Sequence, residues 1–171
     1  ESLLSKQLEV SLLLGNPTDH SISLKMIPGQ EMQVRVEYSL CDSPQATLSV
    51  PGLASPDQPL RVDLENLAPS MCYAYTPFFQ VEEGGEWLQG PTNEFSTAKS
   101  PGEAFDFVVQ ADSHLLNKAD HALYTQALQG MASKGPDLFF DLGDTFLNDK
   151  LPVTDLAHVE QVYREQLPFL Q

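Results

Sequence analysis

The limits on this sequence are set first by what it lacks. No apolar run reaches the roughly 20 residues that a helix needs to cross a bilayer, so no membrane span is predicted. Bases are scarce: 9 Lys and Arg stand against 24 Asp and Glu, a formal net charge of −15. The deficit is shared along the chain, since residues 1–100 hold 13 acids and 5 bases and residues 101–171 hold 11 and 4. Such a surface repels phosphate backbones, which speaks against nucleic acid as a partner. Bound cations are the device that can reverse the sign locally. The two cysteines, Cys41 and Cys72, are too few for a disulfide framework or a thiolate zinc site, and they leave the compartment open. Internal repeats and low-complexity segments are missing. So is an initiator methionine: the chain starts at Glu1, as expected where a leader has been removed or the chain trimmed.

What is present is ordinary for a folded chain. The 42% apolar and 19% charged content excludes a disordered protein, and 171 residues have room for one medium domain or two small ones. Residues 1–100 read as short strands separated by turn formers. Residues 10–14 run into Gly15-Asn16-Pro17-Thr18-Asp19, and then Ile22, Leu24 and Met26 alternate with polar residues. Met32, Val34, Val36, Tyr38 and Leu40 alternate in turn, followed by Leu60, Val62 and Leu64, then Tyr73, Tyr75 and Phe79, and finally Glu94-Phe95-Ser96-Thr97. A period of two marks strands with one buried face, and evenly spaced short strands without helices predict an all-β sandwich.

Leu67-Ala68-Pro69-Ser70-Met71-Cys72-Tyr73 has the Leu-x-Pro spacing and later tyrosine of a tyrosine corner, in which the hydroxyl ties a strand to the preceding turn. The stretch resembles fibronectin type III modules, whose last strand often ends in Phe-x-Thr, as Phe95-Ser96-Thr97 does here. Cys41 and Cys72 fall at the end of one sandwich strand and the start of another that would pair with it. A bridge between them is geometrically open, with the unbridged state the weightier reading.

Lys99-Ser100-Pro101-Gly102 reads as a linker, dividing a sandwich at 1–100 from a second domain at 101–171. Residues 105–111 form an apolar strand. Ala122, Leu123, Ala127, Leu128 and Met131 recur at helical spacing over about 119–132, and Gly135-Pro136 ends that helix. Residues 138–142 predict a second buried strand. A last helix over about 154–167 places Leu156, Val159, Val162, Tyr163 and Leu167 on one face. Strand, helix, strand with a long crossover implies parallel pairing, the opening of an α/β domain.

Both α/β strands end in residues that ligate metals: Asp112-Ser113-His114 after the first, Gly143-Asp144-Thr145 after the second. In an open parallel sheet, ligands bind beyond the carboxyl ends of the strands, so Asp112, His114 and Asp144 are predicted to meet at one edge. Residues two apart on an extended segment project to the same side, so a carboxylate and an imidazole can grip one ion. That oxygen and nitrogen set suits manganese, iron or zinc better than calcium. Gly143 allows a sharp turn, and Asp144 offers two oxygens that can bridge two ions.

Asp-x-His, a helix, and then Gly-Asp resembles the first two motifs of the calcineurin-like metallophosphoesterases. A sandwich ahead of that domain is similar to the layout of purple acid phosphatases and of some secreted alkaline phosphatases and phosphodiesterases, which leaves an extracytoplasmic location open. The resemblance covers residues 104–171 closely and the rest loosely. It implies an all-β sandwich followed by the first part of a metallophosphoesterase domain, acting on a phosphate-ester substrate. It further implies two divalent or trivalent ions (Mn, Fe or Zn) roughly 3.5–4 Å apart, with a bridging hydroxide attacking phosphorus in line. Asp112 and His114 would hold the first ion and Asp144 would bridge both.

The sequence departs from the family in two ways. Purple acid phosphatases carry a tyrosine three residues after the second-motif aspartate, where Leu147 stands here, which disfavours that subgroup and its iron. The Asn-His pair, the further histidine and the Gly-His-x-His motif of the family are missing. Residues 162–170 look like the helix that precedes the Asn-His strand, so the chain is expected to stop short of a complete site, to leave apolar faces uncovered and to be inactive alone. The alternative is a non-catalytic interaction module with a dead phosphoesterase remnant. His121 and His158 are expected on helix surfaces, and His20 in solvent. Asp141 is expected as a polar strand position, Asp149 in a loop or cap, and Trp87 at a hairpin rim.

Overall fold

The computed structural model describes residues 10–43, 45–49, 51–56, 58–115, 119–145 and 155–169. It divides into two compact units, residues 1–103 and 104–171.

The first unit is a sandwich of two antiparallel sheets. One holds β1 (Val10–Gly15), β2 (Ile22–Pro28) and β6 (Leu60–Leu64), in the order β1-β2-β6. The other is built on β3 (Met32–Leu40) and β7 (Cys72–Gln80), paired from Gln33↔Gln80 to Leu40↔Tyr73. β4 (Thr47–Leu48) and β5 (Gly52–Ala54) flank β3, and β8 (Leu88–Gln89) and β9 (Asn93–Ser96) flank β7. Alternation makes the core. Ile22, Leu24, Met26, Val62 and Leu64 from the first sheet close on Met32, Val34, Val36, Tyr75, Phe79 and Phe95 from the second. On β2, Ser23 is buried and donates to Asp63 Oδ1 at 2.6 Å, while Arg61 Nε reaches the same oxygen at 2.8 Å. These bonds, that from Ser23 foremost, hold the Asp63 carboxyl below the usual carboxylate range.

The tyrosine corner forms. Tyr73 is 7% exposed and its hydroxyl accepts from Ala68 N at 2.8 Å. Buried Thr97 completes the lock, donating to Ala68 O at 2.7 Å and accepting from Met71 N at 3.0 Å, while Phe95 stacks on Tyr73 at 5.5 Å. The Phe-x-Thr ending thus closes the same turn that the tyrosine ties down. Cys41 and Cys72 are joined by a disulfide, which overturns the reading of two thiols. They lie opposite each other at the β3–β7 end, where pairing already brings their Cα atoms to 5.5 Å, inside the range a bridge requires. Trp87 sits at the hairpin rim as expected, with the Arg35 guanidinium 4.2 Å from its ring and 5.4 Å from that of Phe78.

Pro77 stands inside β7, where a proline would ordinarily remove a ladder bond. Here β7 pairs with β9 at Cys72–Tyr75 and with β8 at Phe78 and Phe79, so Pro77 falls in the gap between the two neighbours. Its carbonyl accepts from Gly90 N at 2.8 Å. That approach requires glycine, because a Cβ on residue 90 would lie 2.9 Å from both Pro77 Cγ and Phe79 Cε2.

The second unit pairs β10 (Phe107–Gln110) with β11 (Leu138–Asp141) in parallel, joined through α1 (His121–Ala132). Asp120 caps α1 by accepting from Leu123 N, and Asp155 caps α2 (Leu156–Gln166) by accepting from His158 N, both at 3.0 Å. A 3-10 turn, Leu167–Phe169, follows. Leu115, Tyr124 and Val162 form the small core, with Ala119, Leu128 and Phe169 packed on it.

Three expectations of burial change here, while the apolar faces expected to stay uncovered do so. The strands are not buried: Phe107 is 54% exposed, and Val109, Phe139 and Phe140 are exposed as well. An apolar parallel strand anticipates cover on both faces, and among the described residues this sheet has two strands. On α1 the inward position belongs to Tyr124, which receives a bond from Gln110 Nε2 at 3.0 Å and packs on Phe169, while Leu123 is 62% exposed and Ala122 and Ala127 face solvent. On α2, Val162 is buried but Leu156 and Tyr163 are exposed. His20, His121 and His158 are exposed, as expected. Leu147, Asp149 and Thr154 lie outside the described residues.

Candidate metal centre

Parallel pairing does not stop where the strands end. Leu142 N donates to Gln110 O at 2.8 Å, Asp112 N to Gly143 O at 3.0 Å and Leu115 N to Thr145 O at 2.7 Å. The two loops leaving the carboxyl ends of β10 and β11 are therefore zipped together, and buried Leu115 and Thr145 anchor them. Between these anchors stand the three residues singled out in the sequence. His114 Nε2 lies 3.3 Å from Asp144 Oδ2 and 3.9 Å from Asp112 Oδ1. One ligating atom from each lies within 4.8 Å of the other two, and all three side chains are open to solvent.

The convergence is not produced by an extended pleat. Asp112, His114 and Asp144 all adopt left-handed backbone, at φ 56°, 47° and 52°, and Gly143 lies at 92°. Only three other described non-glycine residues do so, Asn16, Asn66 and Ser70, so half of this uncommon set sits in one cluster. Each such residue costs of order 1 kcal/mol and persists where its surroundings over-determine it. Aspartate tolerates the conformation better than most residues.

Sequence reasoning missed the groups that hold these loops. Asp141 is more than a polar strand residue: its Oδ1 accepts from Gly143 N at 2.9 Å, and Thr145 Oγ1 donates to its carboxylate at 3.2 Å. An Asp-x-Gly string at a strand end is the signal that could have shown it, since aspartate bonds the backbone two residues on. Ser113, between two of the clustered residues, carries a buried hydroxyl with no hydrogen-bond partner among the described residues.

The donor set fits a transition-metal ion. Two carboxylates and one imidazole within this radius are what manganese, iron or zinc takes, and an ion would draw together groups that otherwise place two negative charges side by side. Three donors supply most of one coordination shell but little of a second. A second ion would find Asp144 and no further histidine, cysteine or acid of this cluster among the described residues.

No protein-family model matches the chain, and no curated protein matches it in sequence. Among solved structures it is similar to PhoD, with a TM-score of 0.61 and 20% identity over 78% of this chain and 27% of that one. The chain thus spans about a quarter of PhoD's length. The matched share is larger than the first unit can supply, so the shared fold extends into the second. Weaker likenesses are to the sensor domain of the anti-sigma factor RsgI4 of Pseudobacteroides cellulosolvens (TM-score 0.44, 10% identity, 54% of this chain and 76% of that one) and to the third fibronectin III domain of human KIAA0343 (0.41, 16%, 54% and 82%). In fold, the chain is a β-sandwich followed by a small α/β unit with a parallel strand–helix–strand core.

Proposed function

We propose that the chain carries the first half of the metal centre of a metal-dependent phosphoesterase. The observation that supports this reading is the convergence of Asp112, His114 and Asp144 beyond the carboxyl ends of two parallel strands, each in strained left-handed backbone. Asp112 and His114 would hold the first ion, and Asp144 would use its second oxygen toward another. Bound ions of this kind acidify a water and neutralise charge on phosphate oxygens. The chain's own contribution is positional: Asp141 fixes the Gly143 turn and so aims Asp144, and the zipped loops fix the separation of the two motifs. The fold likeness to PhoD is compatible with this reading.

The chain itself supplies the test. Manganese or zinc titrated calorimetrically should bind at a single site, and Asp144→Asn should weaken binding by at least about tenfold. No binding, or binding indifferent to Asp144→Asn, would overturn the assignment. With one ion held, residues 1–171 alone should not hydrolyse an aryl phosphate. Turnover lost in Asp144→Asn would show that the cluster is more complete than three ligands.

A further inference from the structure

A second group of metal-ligating side chains lies in the sandwich, far in sequence from the first. Cys41 and Cys72 end the β3–β7 ladder, where Cys41 N donates to Cys72 O at 3.0 Å and the sulfurs are bonded. On the other side of β7, Ala74 pairs with Glu94, so Glu94 shares the outer face with Cys72. Its Oε2 lies 4.0 Å from Cys72 Sγ. A disulfide sulfur has no proton to donate, so the carboxylate gains no hydrogen bond by this approach. The two sulfurs and the carboxylate oxygen all lie within 4.8 Å of one another, and Glu94 is exposed.

We infer that Cys41, Cys72 and Glu94 form a redox-gated site for a thiophilic divalent cation, closed while the disulfide stands and opened to zinc when it is reduced. Two cysteines alone are too few for such a site; Glu94, 22 residues beyond Cys72, supplies a third ligand that the sequence does not advertise. Zinc takes thiolates at about 2.3 Å, so a tetrahedral site needs its two sulfurs about 3.8 Å apart. Side-chain rotation across a paired position with Cα atoms 5.5 Å apart reaches that span without moving the strands. Water from the open face completes the coordination. Thiolates exclude magnesium and calcium, which take oxygen.

The ligands stay in place when the bond breaks, because other bonds hold the strands. The β3–β7 pairing continues through Leu40↔Tyr73, β9 pairs from Cys72↔Ser96 to Tyr75↔Asn93, and Tyr73 remains tied to Ala68. The chemistry balances with a dithiol reductant. It gives two electrons and two protons to the S–S bond and leaves as its own disulfide, producing two protein thiols, and zinc then displaces both thiol protons.

Cobalt(II) separates this site from the one in the second unit, since only thiolate ligands give a thiolate-to-cobalt charge-transfer band in the near ultraviolet. The oxidised chain should show no such band. After reduction by a water-soluble phosphine, which takes its oxygen from water, becomes the phosphine oxide and leaves two protein thiols, the band should appear, saturate at a single cobalt and vanish when zinc is added. Glu94→Gln, which leaves the cysteines intact, should weaken cobalt binding by at least about tenfold, and Cys41→Ser should abolish the band. A reduced chain without the band, or with affinity unchanged by Glu94→Gln, would overturn the inference. Should Cys41→Ser fail to fold, the Glu94→Gln comparison decides alone.

Discussion

The two units solve the problem of burying an apolar strand in opposite ways. In the sandwich each strand has one apolar side, and the sides face each other: Leu24, Met26, Val34 and Val36 are wholly buried. In the second unit the strands are apolar on both sides and the described sheet has two members, so Phe107, Val109 and Phe140 stay in solvent, with Phe107 and Phe140 packed edge to face at 5.8 Å. A sheet of alternating strands can close its core with one facing layer, whereas a parallel sheet needs two. The first unit therefore has the more complete core, and the candidate metal chemistry lies in the less enclosed second one.

The largest expected effect sharpens that contrast. Leu24→Ala should cost the sandwich about 2–5 kcal/mol, read by denaturant unfolding through Trp87, the single tryptophan. The same truncation at exposed Leu123, read in the second unit by the loss of helical circular dichroism, should stay within about 0.5 kcal/mol. Equal losses would break the comparison. Next in size is Tyr73→Phe. It keeps the ring in the core but leaves Ala68 N without its partner, a loss of about 1–2 kcal/mol by the same measurement.

Gly143→Ala should be smaller and confined to the second unit. An added Cβ meets nothing within 4 Å, so the cost is the left-handed backbone alone, about 1 kcal/mol. It should appear as weaker metal binding in calorimetry while the Trp87 transition stays in place. The smallest effect is the pH dependence of α2. The bond from His158 N, chief among several, holds the Asp155 carboxyl below its usual range. Its folded pKa is depressed, so the capping contribution is full above the ordinary carboxylate pKa near about 4 and is lost as pH falls through the lowered value. Helicity measured by circular dichroism should decline in that window, and Asp155→Ala should flatten the decline.

Legibility followed how local each determinant is. Leu67, Pro69 and Tyr73 lie within one turn, so their spacing carries the corner by itself. The ends of two strands place Asp112, His114 and Asp144 at one edge once parallel pairing is assumed. Other features depend on partners distant in sequence. Which side of α1 turns inward was decided by Gln110 and Phe169, and the apolar count alone favoured Leu123. The disulfide needed the register of β3 against β7, since Leu40↔Tyr73 is what brings Cys41 to Cys72. The left-handed backbone of the clustered residues had no sequence signal beyond Gly143, because it comes from two loops hydrogen-bonded to each other.

The proline in β7 has a consequence for motion. Because the strand changes neighbour at Thr76 and Pro77, β8 and β9 do not share a continuous ladder along it. The hairpin that carries Glu82, Glu83 and Glu86 meets the β9 pairing through two bonds, Gly90 N to Pro77 O at 2.8 Å and Thr76 Oγ1 with Thr92 Oγ1 at 2.7 Å, and its opening is expected to leave the pairing that secures Phe95 in place. Amide hydrogens of Leu88 and Gly90 should exchange with solvent through this local opening, at rates set by a two-strand edge. Those of Tyr73 and Phe95 should exchange only when the corner itself comes apart. A residue that cannot donate a hydrogen bond thus divides one sheet into a slow half and a fast half.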